Sequence, residues 1–305
     1  MRRTNDTEAM DLSGRDWQAW LSGFDTAFNE IGTVQPLGAD HAALFRCTRT
    51  PVLLVTFERF DGLSDQGHPL GWTLIDALGW SHLCLLGKGD AWFRDPLVQD
   101  HLDRLKTDGF FDDFEQVVFY GAGSCAHAAS AFSVAVPGAR VLMLSPQSPP
   151  PTPEPNHASG TPQKSFWERD AQACEISGVV IDNLAFGQGA EHPALRDGST
   201  MLRFPMRLFG LPLEDGLVRM KVLVPFLIQL RDDRPSRRSL AQLWRKRRDD
   251  RGYLLALMRH LVSERRDLLV VMLCRNVLAR RRGGPRFRKA LNAAQTRLAS
   301  RHKAL

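Results

Sequence analysis

The chain has 305 residues, 43% apolar and 24% charged, enough for one large globular domain, or a large and a small one, with a sizeable core. No apolar run approaches the ~20 residues of a bilayer-crossing helix and no apolar h-region follows Met1-Arg2-Arg3, so the sequence predicts a cytoplasmic protein without a membrane span. The net charge of +6 is unevenly spread: Arg231–Leu305 holds 22 basic and 6 acidic residues, whereas the preceding residues hold 18 basic and 28 acidic.

The five cysteines are scattered, odd in number and never spaced C-x-x-C, which argues against a disulfide framework and a zinc site. Neither a metal nor a cofactor is expected.

Along the chain, Trp17–Phe28 has apolar residues at helical spacing, with Asp11 or Ser13 as its cap. Pro51–Phe57 is a short continuous apolar run, the form of a strand buried on both faces. Further strand-like runs are His82–Leu86, Gln116–Tyr120, Arg140–Leu144, Val179–Ile181 and Met201–Phe204. Leu70–Leu78, Pro96–Leu105, His127–Val136 and Phe166–Cys174 have helical patterns and separate them. Strands alternating with helices predict an α/β fold, a mainly parallel sheet with helices on both faces. Residues 145–163 hold seven prolines and few apolar side chains, and are read as a long loop.

From about Leu211 the strand signal stops. Leu213–Leu230, Ser239–Arg248, Tyr253–Ser263, Leu268–Arg281 and Pro285–Ser300 read as successive helices. The predicted organisation is an α/β domain over 1–210 and a basic, all-helical region over 211–305. Arg245–Arg248 and Arg280–Arg282 suit phosphates, so a nucleic acid or another anionic partner is a candidate there, against a solvated helix face.

The focal stretch is Val117-Val118-Phe119-Tyr120-Gly121-Ala122-Gly123-Ser124-Cys125-Ala126-His127: a strand, a tight turn of small residues, then a helix. This is the layout of a nucleophile elbow, which needs small residues two before and two after the nucleophile because backbones pass closely there. Three registers compete. One puts Gly123 at the nucleophile position, which leaves it without a side chain. A second puts Ser124 there, between Ala122 and Ala126. A third uses Cys125, but His127 then fills a position that should be small. In each, the amide after the nucleophile, at the helix N-terminus, can stabilise an oxyanion. Gly121, Ala122, Gly123 and Cys125 therefore form the candidate ligand or oxyanion turn.

The same residues also read Gly121-x-Gly123-x-x-Ala126, a dinucleotide fingerprint, but the acid required about 20 positions on is missing at Leu144-Ser145-Pro146-Gln147. A hydrolase needs an acid and then a histidine after the nucleophile. Asp182 is a suitable acid. The histidine belongs near Phe209–Leu213, which has none; His192 lies too early and His260 within a helical pattern. Glu58, Asp61, Asp90 and Arg94 follow strands, where they can meet a ligand or cap helices.

Phe119–Gly123, Phe132–Val141, Ser145-Pro146-Gln147, Gly79-Trp80-Ser81, Trp92–Pro96, Asp108–Phe111 and Pro285–Arg288 together resemble a little-characterised alphaproteobacterial family. It has an α/β-hydrolase-like domain and a helical C-terminus, and its members often carry the label phosphoadenosine phosphosulfate reductase. The resemblance spans about Leu12 to Leu298. Related hydrolase-like proteins carry Y-G-x-S-M-G-G-Y at this turn, which sets Gly123 opposite their serine, Cys125 and Ala126 opposite their paired glycines and His127 opposite their tyrosine. Leu211 falls near their histidine. The resemblance thus implies a hydrolase-derived fold with its triad lost. The reductase label implies an S-G-G-x-D-S-like loop and a C-G-L-H cysteine, and neither string occurs.

Three functions follow in order. The first is a non-catalytic protein that binds a small molecule or protein partner at the strand C-terminal edge. The second is an active ester or acyl hydrolase, or an acyltransferase, using Ser124 and Asp182. The third is a phosphate- or nucleotide-binding module.

Overall fold

The computed structural model describes residues 12, 14–28, 32–64, 67–89, 92–147, 177–183, 200–232 and 235–303. Residues 148–163 of the proline-rich stretch, the expected helix Phe166–Cys174, and the candidates Asp90, His192, Asp11 and Ser13 lie outside them.

The chain opens with helix α1 (Trp17–Phe28) and strands β1 (Thr33–Leu37) and β2 (His41–Arg46). It continues through β3 (Val52–Arg59), α2 (Leu70–Leu78), β4 (Ser81–Gly87), α3 (Pro96–Thr107), β5 (Gln116–Ala122), α4 (Ser124–Ser133), β6 (Arg140–Leu144), β7 (Ser177–Asn183) and β8 (Thr200–Met206). The strands form one eight-stranded sheet in the order β1-β2-β4-β3-β5-β6-β7-β8. β2 runs antiparallel to both neighbours, while β4-β3-β5-β6-β7 are mutually parallel. With α2, α3 and α4 crossing over between the successive strands from β3 to β6, this is the α/β-hydrolase architecture, as the sequence predicts.

Strand alternation divides the core between the two faces. Leu53, Val55 and Phe57 of β3 and Leu83 and Leu85 of β4 pack with Val98 and Leu102 of α3 and Ala126, Ala129 and Phe132 of α4. Cys84 and Leu86 turn the other way, with Trp17, Trp20 and Phe24 of α1 and Trp72 of α2. Inner strands buried on both sides read as unbroken apolar runs, which is why they stand out in the sequence.

The hairpin β1-β2 does not stand out. β1 carries Pro36 and is mostly exposed, as an edge strand tolerates, and its turn is Gly38-Ala39-Asp40 with Gly38 at φ +76°. The cap observed on α1 also differs from expectation. Asp16 caps α1 by accepting from Ala19 N at 2.8 Å, and Asp95 caps α3 ahead of Pro96.

After β8 come α5 (Leu213–Arg219), α6 (Leu223–Arg231), α7 (Arg237–Trp244), α8 (Arg251–Ser263), α9 (Asp267–Ala279) and α10 (Pro285–Lys303). By compactness one unit comprises Met1–Asp182, Gln188–Phe204 and Val224–Arg237; the other comprises Asn183–Gly187, Pro205–Leu223 and Arg238–Leu305. Val224–Arg237, expected in the helical region, thus belongs to the sheet-bearing unit. No helix among the described residues is long and apolar enough to cross a membrane.

The helix expected over Leu213–Leu230 is two helices. α5 ends with Lys221 in the left-handed region (φ +54°), its amide bonded to Val218 O, and Val222 N bonded back to Leu217 O. This is a Schellman ending. α8 ends the same way at Arg265, and α9 at Arg281. Glycine is the usual residue at that position; a basic one favours the helix C-terminus electrostatically but carries a steric penalty. Without a glycine, the break at Lys221 gives no sequence signal. Lys221→Gly should therefore stabilise the chain by about 1 kcal/mol in urea denaturation. A loss of stability would contradict this account of the break.

Candidate functional site

At the C-terminal edge of the sheet, β5 runs into α4 through one residue, Gly123, at φ 60° and ψ −121°. Residues with a Cβ rarely hold that conformation, and in a nucleophile elbow it belongs to the nucleophile. Gly123 N donates to Leu144 O at 2.9 Å and Gly123 O accepts from Gln147 N at 3.1 Å, so the turn is tied to the end of β6.

Gly121, two residues earlier, is forced. A Cβ there would collide with the Cys125 carbonyl and stand 2.8 Å from Ala126 N. Helix α4 thus crosses β5 at backbone contact, and its Ala126, Ala128, Ala129 and Ala131 keep it close. At Gly123 itself a Cβ would meet nothing nearer than Gln147 Nε2, at 3.7 Å. The nucleophile position is roomy and has no side chain.

Ser124 is the first residue of α4 and 5% exposed, and Cys125 is buried behind it. Ala122 is the last residue of β5. Asp182 lies within β7, where its Oδ2 accepts from Arg203 Nη2 at 3.1 Å and Nε at 3.3 Å. The expected acid is therefore held by a guanidinium. Residues 205–213 hold no histidine, and His260 lies on α8 with its ring 4.8 Å from Phe209. Beside the turn, Gln147 is exposed, and on α4 His127 stands edge-on to Trp92 with ring centroids 6.1 Å apart, both partly exposed. The 35-residue separation between Trp92 and His127 leaves no local signal for the pair.

Glu58 takes the capping alternative. Its carboxylate accepts from Leu70 N at 2.5 Å and Gly71 N at 2.8 Å, capping α2 from across the β3 end. Thr56 Oγ1 links it, at 2.7 Å, to His82 Nε2 at 2.9 Å, and Cys84 Sγ lies 3.9 Å from Glu58 Oε1. A Cβ at Gly71 would fall on the His82 ring, so only glycine lets α2 close over the group. Burial raises the Glu58 carboxyl, against the hydrogen bonds from Thr56, Gly71 and Leu70 that favour its charge, and it raises the Cys84 thiol. Burial, aided by the Arg46 charge, pushes His82 down to about 3.

Glu58, His82 and Cys84 offer three metal-ligating atoms within 4.8 Å of one another. The Thr56 hydroxyl lies among them, bonded to Glu58 and to His82 Nε2, while the buried His82 Nδ1 has no hydrogen-bond partner among the described residues; a metal bound through the other atoms would have to break the Thr56 bonds.

No family model and no curated protein matches the sequence. Solved structures do. A serine hydrolase homologue from Coxiella burnetii is 10% identical over 63% of this chain and 94% of its own, with a TM-score of 0.38. A carboxyl esterase from Tuber melanosporum is 10% identical over 57% and 75%, with a TM-score of 0.33. A glycosylation-associated protein complex from Streptococcus agalactiae is 12% identical over 58%, with a TM-score of 0.36, and this chain spans 42% of that one. Such distant likenesses carry no functional argument; the fold rests on its own sheet order.

His82 sets a pH dependence. It is neutral in the fold, while in the unfolded chain it takes a proton below 6.5. Stability is therefore lost as pH falls from 6.5 toward about 3. Relative to His82→Gln, which can keep the bond to Thr56, the unfolding free energy should drop by about 1.4 kcal/mol per pH unit in that window. Parallel profiles in chemical denaturation would contradict a buried neutral His82.

Proposed function

We propose that this protein is a non-catalytic member of the α/β-hydrolase fold that binds a small molecule or a protein partner at the C-terminal edge of its sheet. One observation carries the reading: the residue in the nucleophile conformation is Gly123, which has no side chain. Two others support it. Asp182 is engaged by Arg203, and the stretch after β8 offers no histidine to pair with it. The sequence resemblance to the alphaproteobacterial hydrolase-like family fits the same reading.

What remains at the elbow is recognition chemistry. α4 starts without a side-chain cap, so its first amides are unmet by any capping side chain. Gln147 offers an amide, and the Trp92–His127 pair an aromatic wall. These groups suit a ligand with an acceptor group and a flat or apolar body.

A fluorophosphonate serine probe tests the reading. Wild-type protein should remain unlabelled. Gly123→Ser should fold, since the nearest atom to a Cβ there is 3.7 Å away, and should still hydrolyse no ester, for want of an acid–histidine pair. Labelling of wild type that disappears in Ser124→Ala would overturn the proposal in favour of a serine hydrolase.

A further inference from the structure

The basic helical unit has an apolar corner. α8 and α9 pack on each other and are joined by Glu264-Arg265-Arg266. α9 buries Val270, Val271, Cys274 and Val277 on one side. Its opposite side shows Leu268, 62% exposed, Met272, 60%, and Leu269, 45%. Leu268 and Met272 are one helical turn apart and share a face. Val262, 39% exposed, sits at the end of α8 just before the joining turn. Arg259, Arg265, Arg266 and Arg275 are exposed on the same stretch. Its carboxylates are Glu264, exposed, and Asp267, buried and paired with Arg297. The corner is thus an aliphatic patch with a cationic rim.

Such a patch marks an interaction surface, and its chemistry narrows the partner. Single-stranded nucleic acid is held by stacking bases on aromatic rings, yet the exposed large apolar side chains here are leucine, valine and methionine. Arginines alone would meet phosphates but would leave the aliphatic groups in water. A lipid surface satisfies both: aliphatic side chains enter the acyl boundary while guanidinium groups meet the headgroup phosphates. We propose that the α8–α9 corner docks on an anionic lipid surface, lying on it without crossing. This stands independently of the reading of the elbow.

The test is co-sedimentation of the full chain with vesicles. Phosphatidylcholine mixed in equal parts with phosphatidylglycerol should be bound, phosphatidylcholine alone should not, and added salt should weaken the binding. Leu268→Gln with Met272→Gln, which keeps every charge, should lower binding on the order of tenfold, and so should Arg265→Gln with Arg275→Gln. All four side chains are exposed, so thermal melts should stay close to wild type. Vesicle binding that survives the leucine–methionine pair would reduce the effect to net charge and overturn the proposal. So would failure to bind either vesicle, whether oligouridylate is bound instead or a dimer is found that the leucine–methionine pair dissolves.

Discussion

The approach of α4 to β5 governs the rest of this structure. Gly121 places its Cα against the Cys125 carbonyl, at a separation no side chain survives. Reversing the chain so sharply requires one residue with positive φ, and that residue is Gly123. It also requires a helix of small side chains, which α4 supplies. β5 is central, paired with β3 and β6, so the turn opens at the middle of the sheet's C-terminal edge. The strand–turn–helix of an elbow is therefore present, with a glycine, which carries no side chain, at its turn.

On the other face, α2 is held by a different device. A carboxylate from β3 caps the helix, and the group of Thr56, Glu58, His82 and Cys84 fills the space beneath it. Removing one member leaves a buried partner unsatisfied, which is costlier than never having it. The cluster thus behaves as one polar core piece, and Gly71 is the lid it requires.

Much of this was legible in the sequence because buried parallel strands write themselves as apolar runs. β3 to β7 appear close to their true limits for that reason, and α1 to α3 through the helical spacing of their apolar residues. The β1-β2 hairpin escaped because an edge strand with Pro36 has little burial to advertise. The break at Lys221 escaped because a lysine occupies a position that glycine usually marks. At the site, the glycine pattern was readable but its register was not; the choice among Gly123, Ser124 and Cys125 needs a backbone angle. The Asp182–Arg203 pair and the Trp92–His127 contact join residues on different elements, which no local pattern records.

A single comparison tests the central claim that α4 meets β5 at backbone contact at Gly121 and turns at a roomy Gly123. Gly121→Ala must push the α4 backbone off β5, whereas Gly123→Ala meets only ordinary contact with Gln147 and pays for its φ alone. Unfolding free energies should show the first as severely destabilising and the second as costing about 1–2 kcal/mol. Equal losses, or a larger loss at Gly123, would contradict the geometry on which the account stands.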